Sequence, residues 1–281
     1  MINKIIPYFG RRRVGGVVPS NPLLDDYPNA AAAYSLRYLR TGYIGSPVIR
    51  VRRSSDNLQA DFKPIEITDG TLKSWVGVGN DGFVTIWYDQ SLFARNASQI
   101  TFNSQPQIVS NGTVLTSSGK PSVKFVNTSL IHNITITGIS SLHSLFAVGQ
   151  VISPTAYGDW FLSGNNADSA NGINLLSQSS TTPSNWGTFQ GNSKPSNSNI
   201  NDSLPHLCTM IRNTSITSNG SFYLDNISDG TYSGTSGGLT MSIGRVNNCN
   251  DYISEILFYN QDQTTNRIGI ESNINAYYSI Y

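Results

Sequence analysis

The chain is punctuated too often for anything but short elements. Runs rich in β-branched and aromatic residues recur at 48–51, 83–88, 107–109, 122–125, 144–150, 207–211, 222–225, 241–244 and 251–259, with Gly, Asn, Pro and Ser clusters between them. Short runs bounded by turn formers are the mark of antiparallel strands. No apolar stretch approaches the roughly 18 residues of a membrane-spanning helix. A length of 281 residues suits one large sandwich or barrel, which commonly takes about 200–250 residues as a single domain.

Composition narrows this further. Charged residues make up 12% of the chain, about half the roughly 25% of ordinary soluble domains, and Ser, Thr and Asn fill the gap. Glu occurs only at Glu66, Glu255 and Glu271, which excludes a coiled coil or long-helix protein. Abundant aromatic and β-branched residues exclude a disordered tail. A net charge of +1 creates no field for nucleic acid or an anionic membrane, so neither is an expected partner. Basic residues do cluster early, in Arg11-Arg12-Arg13 and Arg50-Val51-Arg52-Arg53. Arg50 and Arg52 alternate as on one face of a strand, which favours a solvated surface over a nucleic-acid arm. Cys208 and Cys249 have no metal-site spacing; adjacent strands could pair them, or both could be buried thiols.

Along the chain, residues 1–26 read as an arm, because Gly15-Gly16, Pro19, Asn21-Pro22 and then Pro28 interrupt any regular element. The apolar stretch after Lys4 is too short for a signal peptide. Asn29 and the Ala-rich stretch after it predict a short helix over 30–39, closed by Gly42. A second helix is expected over 263–278, where Ile270, Ile274 and Tyr277 approach helical spacing. Residues 163–202 read as long irregular connections around one or two short strands. The expected organisation is an arm (1–26) that docks to partner subunits and one domain (27–281).

Two blocks carry a family resemblance. Tyr34-Ser35-Leu36-Arg37, Thr41-Gly42-Tyr43, Arg50-Val51-Arg52-Arg53-Ser54-Ser55-Asp56 and Phe83-Val84-Thr85-Ile86-Trp87-Tyr88-Asp89-Gln90-Ser91 resemble the opening of the arabinofuranosidase B catalytic domain. The stretch 251–259 with the following helix is similar to the close of laminin-G-like and lectin-like sandwiches, and Gly119-Lys120-Pro121-Ser122-Val123-Lys124-Phe125 fits the strand between. The resemblance implies an all-β, concanavalin A-like jelly roll of two antiparallel sheets, with a short N-terminal helix, a C-terminal helix and an extended arm. The opening blocks are also similar to domains of bacteriophage tail and fibre proteins.

The resemblance further implies a catalytic carboxylate pair, a Glu after an Asn-Gly and an Asp after an Ile-Gly. The matching segments here are Asn171-Gly172-Ile173-Asn174-Leu175 and Ile243-Gly244-Arg245-Val246-Asn247. Neither holds a carboxylate, and no Glu lies between Glu66 and Glu255. Asp159, Asp168, Asp202, Asp225, Asp229 and Asp251 remain as sources of an unrelated pair. His132, His143 and His206 sit in no catalytic motif and read as ordinary strand or loop residues. No clustered Asp loop supplies calcium's oxygens, so neither metal nor cofactor is expected. Asp89-Gln90-Ser91 reads either as part of a sugar site or as a buried network fixing the turn after a core strand. Tyr157, Asp159, Trp160 and Trp186 are the other candidates for glycan contact, whereas Trp75 and Trp87 are expected in the core.

These readings lead to an expected virion component without catalytic activity, on the particle surface or tail. Its partners would be other virion proteins, a host-surface glycan and possible copies of itself. The alternatives are an arabinofuranosidase-like glycoside hydrolase and a ligand-free capsid or tail cement protein.

Overall fold

The computed structural model describes residues 21–126, 130–136, 142–152, 160–164, 175–176, 185–189, 193–213, 219–233, 239–244 and 250–281. They form two antiparallel layers. The first runs, in spatial order, Gln59–Phe62, Ile49–Arg53, Gly82–Trp87, Gln107–Ser110, Val123–Phe125, Asp251–Tyr259, His143–Val151, His206–Arg212, Asn219–Leu224 and Ile227–Ser233. The second runs Leu130–Ile136, Leu239–Gly244, Trp160–Gly164, Leu175–Leu176, Asn185–Phe189 and Ser193–Asn199. A two-residue strand, Ala97–Ser98, pairs with Ile86 and Trp87 of the first layer and with His132 of the second, and so joins them along one edge. Hairpins supply the edges, while the central neighbours are distant in sequence: Asp251–Tyr259 lies between Val123–Phe125 and His143–Val151. This is the antiparallel all-β architecture that the strand pattern predicts, in the jelly-roll sandwich that the resemblance implies.

Alternation along the strands divides the apolar residues between two cores. Val51, Val84, Ile108, Val123, Phe125, Leu145, Met210 and Ile253 point between the layers, where Trp87, Trp186 and Ile243 join them. Phe146, Val148, Leu207, Ile211, Leu257 and Tyr259 point the other way and meet Ile270, Ile274 and Tyr278 of the C-terminal helix Arg267–Tyr278. That helix lies within the predicted 263–278. Among the described residues no helix is long and apolar enough to cross a membrane.

The helix expected over 30–39 is instead the strand Ala32–Ser35, antiparallel to Phe258–Glu255 and buried at every position. Helix propensity differs by less than about 1 kcal/mol per residue, and full burial beside a central strand outweighs it. The short N-terminal helix falls earlier, as one turn at Leu23–Asp26. There the end of the predicted arm is part of the domain: Leu23 and Leu24 are buried, and the Leu24 N–H donates to the Leu39 carbonyl. Residues 1–20 lie outside the described residues, as does Cys249; Cys208 is a buried free thiol. The polar region 163–202 contains more strand than expected. Asn185–Phe189 and Ser193–Asn199 pair despite Pro195 and five Ser and Asn residues in the second strand, because ladder hydrogen bonds are made by backbone whatever the side chain.

Buried polar networks fasten the chain ends. Arg37 donates from Nε and Nη2 to the two oxygens of Glu255, at 2.8 and 2.9 Å, and from Nη1 to Asn273 Oδ1 at 3.0 Å. Ser35 Oγ and the Tyr278 hydroxyl also donate to Glu255. One buried carboxylate thereby ties together an early strand, the central strand and the C-terminal helix.

Candidate functional site

The best-defined cluster of titratable side chains lies where the chain crosses from Ser193–Asn199 in the second layer to His206–Arg212 in the first. Asp225 and Asn226 turn the hairpin between Asn219–Leu224 and Ile227–Ser233, both with positive φ (50° and 70°). Asp and Asn tolerate that region better than other non-glycine residues. The turn is held from outside by Arg267, which donates to Asn226 Oδ1 at 3.1 Å and stacks 3.9 Å over the Tyr223 ring. Asp225 accepts the Leu207 N–H at 2.9 Å, and its other oxygen lies 2.8 Å from His206 Nδ1.

The opposite ring nitrogen, Nε2, lies 3.1 and 3.2 Å from the two oxygens of Asp202. Asp202 belongs to the crossing loop and accepts the Leu204 N–H at 2.9 Å. The next residue is clamped as well, for Gln150 Nε2 donates to the Ser203 carbonyl at 2.6 Å. An imidazole facing a carboxylate on each side satisfies both only as the imidazolium, with two N–H donors. Burial works against that charge, but the hydrogen bonds and charges of Asp225 and Asp202 outweigh it and raise the His206 pKa above its ordinary value. Burial likewise opposes the charge on Asp202. The Leu204 N–H and His206 prevail and hold its carboxyl below the usual range. The side chain of Asp202 is 46% exposed, against 21% for Asp225 and 11% for His206. Asp202 is therefore the member that a dissolved molecule can reach.

Further in, Asp229 is buried and accepts Trp186 Nε1–H at 2.7 Å and Ser198 Oγ–H at 2.6 Å. Burial, then the charges of Asp225, Asp229 and Asp251, push the Cys208 thiol well above its ordinary value, so it is not a nucleophile. The arrangement is a proton chain: Asp225 fixes the ring, His206 carries a proton, and Asp202 presents a carboxylate at the surface. Among the described residues no group of three His, Cys, Asp or Glu side chains is placed to hold a metal ion.

Of the side chains expected to touch glycan, Asp89, Gln90 and Trp186 are described, and all three are buried. Asp89 and Gln90 are interior and bind backbone: Asp89 accepts the N–H groups of Ala33, Ser91 and Arg95 and the Ser91 hydroxyl. Gln90 accepts the Leu39 N–H and donates to the carbonyls of Ser35 and Arg37. Of the two readings of that motif, the buried turn network is the one observed. Trp186 is fully buried, 5.0 Å from Phe222 in an edge-to-face contact, so its ring has no free face for a sugar. The backbone of Trp160 lies in the strand Trp160–Gly164. Tyr157, Asp159 and most of the two segments matched to the catalytic pair lie outside the described residues. Trp87 is in the core as expected, and Trp75 packs against it.

His206 was expected to be an ordinary strand residue, and Asp202 and Asp225 only members of a scattered set. Their local sequence did hold a signal, since Asp202 lies one turn before His206 across Pro205 and Asp225-Asn226 is a tight-turn dipeptide. What joins them is the pairing of His206–Arg212 with Asn219–Leu224.

No protein-family model and no curated protein matches the chain. Solved structures do. A family-54 glycoside hydrolase, an α-L-arabinofuranosidase soaked with a cyclic sulfate inhibitor, matches with a TM-score of 0.63 and 15% identity over 88% of this chain. An arabinofuranosidase complexed with arabinofuranosyl-alpha-1,2-xylobiose matches with the same values. This chain spans 62% of the length of each of those chains. At such identity the likeness establishes the fold, a sandwich of the arabinofuranosidase type. It also corrects the expectation of a virion protein without catalytic activity, because these matches are to glycoside hydrolases.

Proposed function

We propose that this chain is a carbohydrate-active domain of the glycoside hydrolase class, acting on arabinofuranosides. The observation that carries this reading is the shared path of 88% of the chain with arabinofuranosidases at a TM-score of 0.63. The Asp202–His206–Asp225 chain supports it as a source of acid–base chemistry. Glycosidases use a carboxyl pair flanking the scissile bond, and here Asp is the candidate for both members, since no Glu lies between Glu66 and Glu255 and Glu255 and Glu271 are buried. Asp202 is the exposed member, kept ionised by Leu204 and His206. Asp225 is committed to His206 and to the Leu207 backbone, which makes it a positioning residue.

The test is hydrolysis of 4-nitrophenyl α-L-arabinofuranoside by the whole chain, followed by an Asp→Asn scan over Asp159, Asp168, Asp202, Asp229 and Asp251. Asp202→Asn is expected to lower kcat at least 100-fold with an unchanged circular dichroism spectrum. A wild-type chain inert towards aryl furanosides would remove the reading. Activity that survives Asp202→Asn would remove only the role given to Asp202.

A further inference from the structure

A second surface, on the opposite face of the first layer from the inter-layer core, carries chemistry that the Asp202 cluster does not use. Residues directly opposite in an antiparallel pair share a face of the sheet. The registers Arg52↔Phe83, Phe83↔Gln107, Gln107↔Lys124 and Lys124↔Tyr252 therefore string five side chains into one row over five neighbouring strands. Their sequence neighbours Val51, Val84, Ile108, Val123 and Ile253 point into the core between the layers, so the row faces outward. At about 4.8 Å per strand it is roughly 19 Å long. Phe102, Asn103 and Gln105 rise at the Arg52 end and enclose a groove of about 600 Å³.

Arg52 is 5% exposed, yet among the described residues no acidic side chain pairs with it. Its Nε donates to Gln105 Oε1 and its Nη1 to Asn57 Oδ1, both at 2.7 Å, and its guanidinium stacks 4.8 Å from the Phe83 ring and 4.3 Å from Phe102. By contrast Arg37, Arg50, Arg53 and Arg267 each pair with a carboxylate. Desolvation without a counter-charge lowers the Arg52 pKa. Among the described residues no Asp or Glu lines the groove, and Lys124, which does, has no acidic partner either. Buried charges are ordinarily paired, so an anion from outside is the partner this geometry lacks. Arg52 and Lys124 are three strands apart in the row, about 14 Å. That spacing between their strands suits an extended chain with repeated charges better than one small anion.

The remaining lining selects the kind of polyanion. Phe102 is half exposed and offers a ring face, and the amides of Asn103 and Gln107 offer both donors and acceptors. Flat apolar faces beside paired donors and acceptors suit sugar rings, whose C–H faces stack while their hydroxyls hydrogen-bond. We propose that this groove binds an acidic polysaccharide chain, with two of its carboxylates, several sugars apart, at Arg52 and Lys124 and a sugar face on Phe102. This goes beyond the hydrolase reading and does not depend on it, since the two sites share no residue.

Affinity electrophoresis of the whole chain in gels containing polygalacturonate tests it, with neutral arabinan and a single-stranded DNA oligonucleotide as comparison probes. Retardation by polygalacturonate is expected, weakening with added salt. Lys124→Gln and Phe102→Ala, both at partly exposed positions, should each weaken it at least tenfold while leaving the melting temperature and any aryl-furanoside hydrolysis unchanged. No retardation, equal retardation by arabinan, tighter binding of DNA, or wild-type binding by both variants would overturn the proposal. Binding is read without turnover, so it can succeed where the hydrolase reading fails, and the reverse.

Discussion

Asp89 shows how much one buried carboxylate can organise. Its four hydrogen bonds come from the backbone of Ala33, Ser91 and Arg95 and from the Ser91 hydroxyl, so both oxygens are used and every donor points inward. Asp89→Asn would turn an NH₂ group against N–H donors. The expected loss is about 2–3 kcal/mol, read as a lower urea midpoint with an unchanged slope. His206 is the residue-scale counterpart for pH. Its folded pKa is raised, so its contribution to stability is fully present below about 6.5, the ordinary histidine value, and is lost as pH rises through the folded value. Asp202 has the opposite sign: its pKa is depressed, and its contribution is lost only in acid. The melting temperature of the wild type should therefore fall between pH 6 and 9 more than that of His206→Gln. Parallel curves for the two proteins would show that the ring titrates alike folded and unfolded. The Asp-Gln-Ser motif was legible in sequence because its three polar residues are contiguous. The Asp202–His206–Asp225 chain was not, since two of its members meet only through strand pairing.

Among the elements, the contest at 30–39 is the most instructive. Four consecutive alanines and i, i+4, i+7 spacing argue for a helix, and nothing local opposes them. The opposition comes from 50 residues later: Asp89 and Gln90 supply partners to the backbone of residues 33, 35, 37 and 39, and the central strand supplies the rest. The polar strands of the second layer were hidden for the complementary reason, because Ser, Asn and Lys lack the packing on which strand propensity rests. The hairpin Asn219–Leu224/Ile227–Ser233 shows a tighter constraint. Gly220 faces Tyr232 across the pair, and a β-carbon there would run into its ring. Tyr232 is buried and stacked on Phe222 at 4.8 Å, so it has little room to give. Gly220→Ala is expected to cost about 1–3 kcal/mol, whereas the same change in an unobstructed strand would gain stability. A thermal melt distinguishes the two signs.

For the whole molecule, the antiparallel all-β class could be read from short apolar runs bounded by turns, and the resemblance of residues 34–91 chose the sandwich over a barrel. Surface chemistry could not be read this way. The groove row depends on the register of five strands drawn from residues 52 to 252, and shifting any one by a residue would turn its member inward. The scarcity of Glu reads as a loss of chemistry, but sequence alone does not show that the fold sets Asp202 and Asp225 on His206 from a loop and a turn that have no motif of their own.

The placement of Asp251–Tyr259 has one more consequence. It pairs with Ala32–Ser35, Val123–Phe125 and His143–Val151, so the last of the described strands is the middle of the first layer. On a ribosome, the strands on either side of it wait with open edges until residues 251–259 have been made. Closure of long loops slows folding, and unpaired edges invite pairing with other chains. The sparse charge and polar Ser, Thr and Asn faces then matter before the native state exists, because they keep the waiting half-sandwich hydrated until its keystone strand arrives.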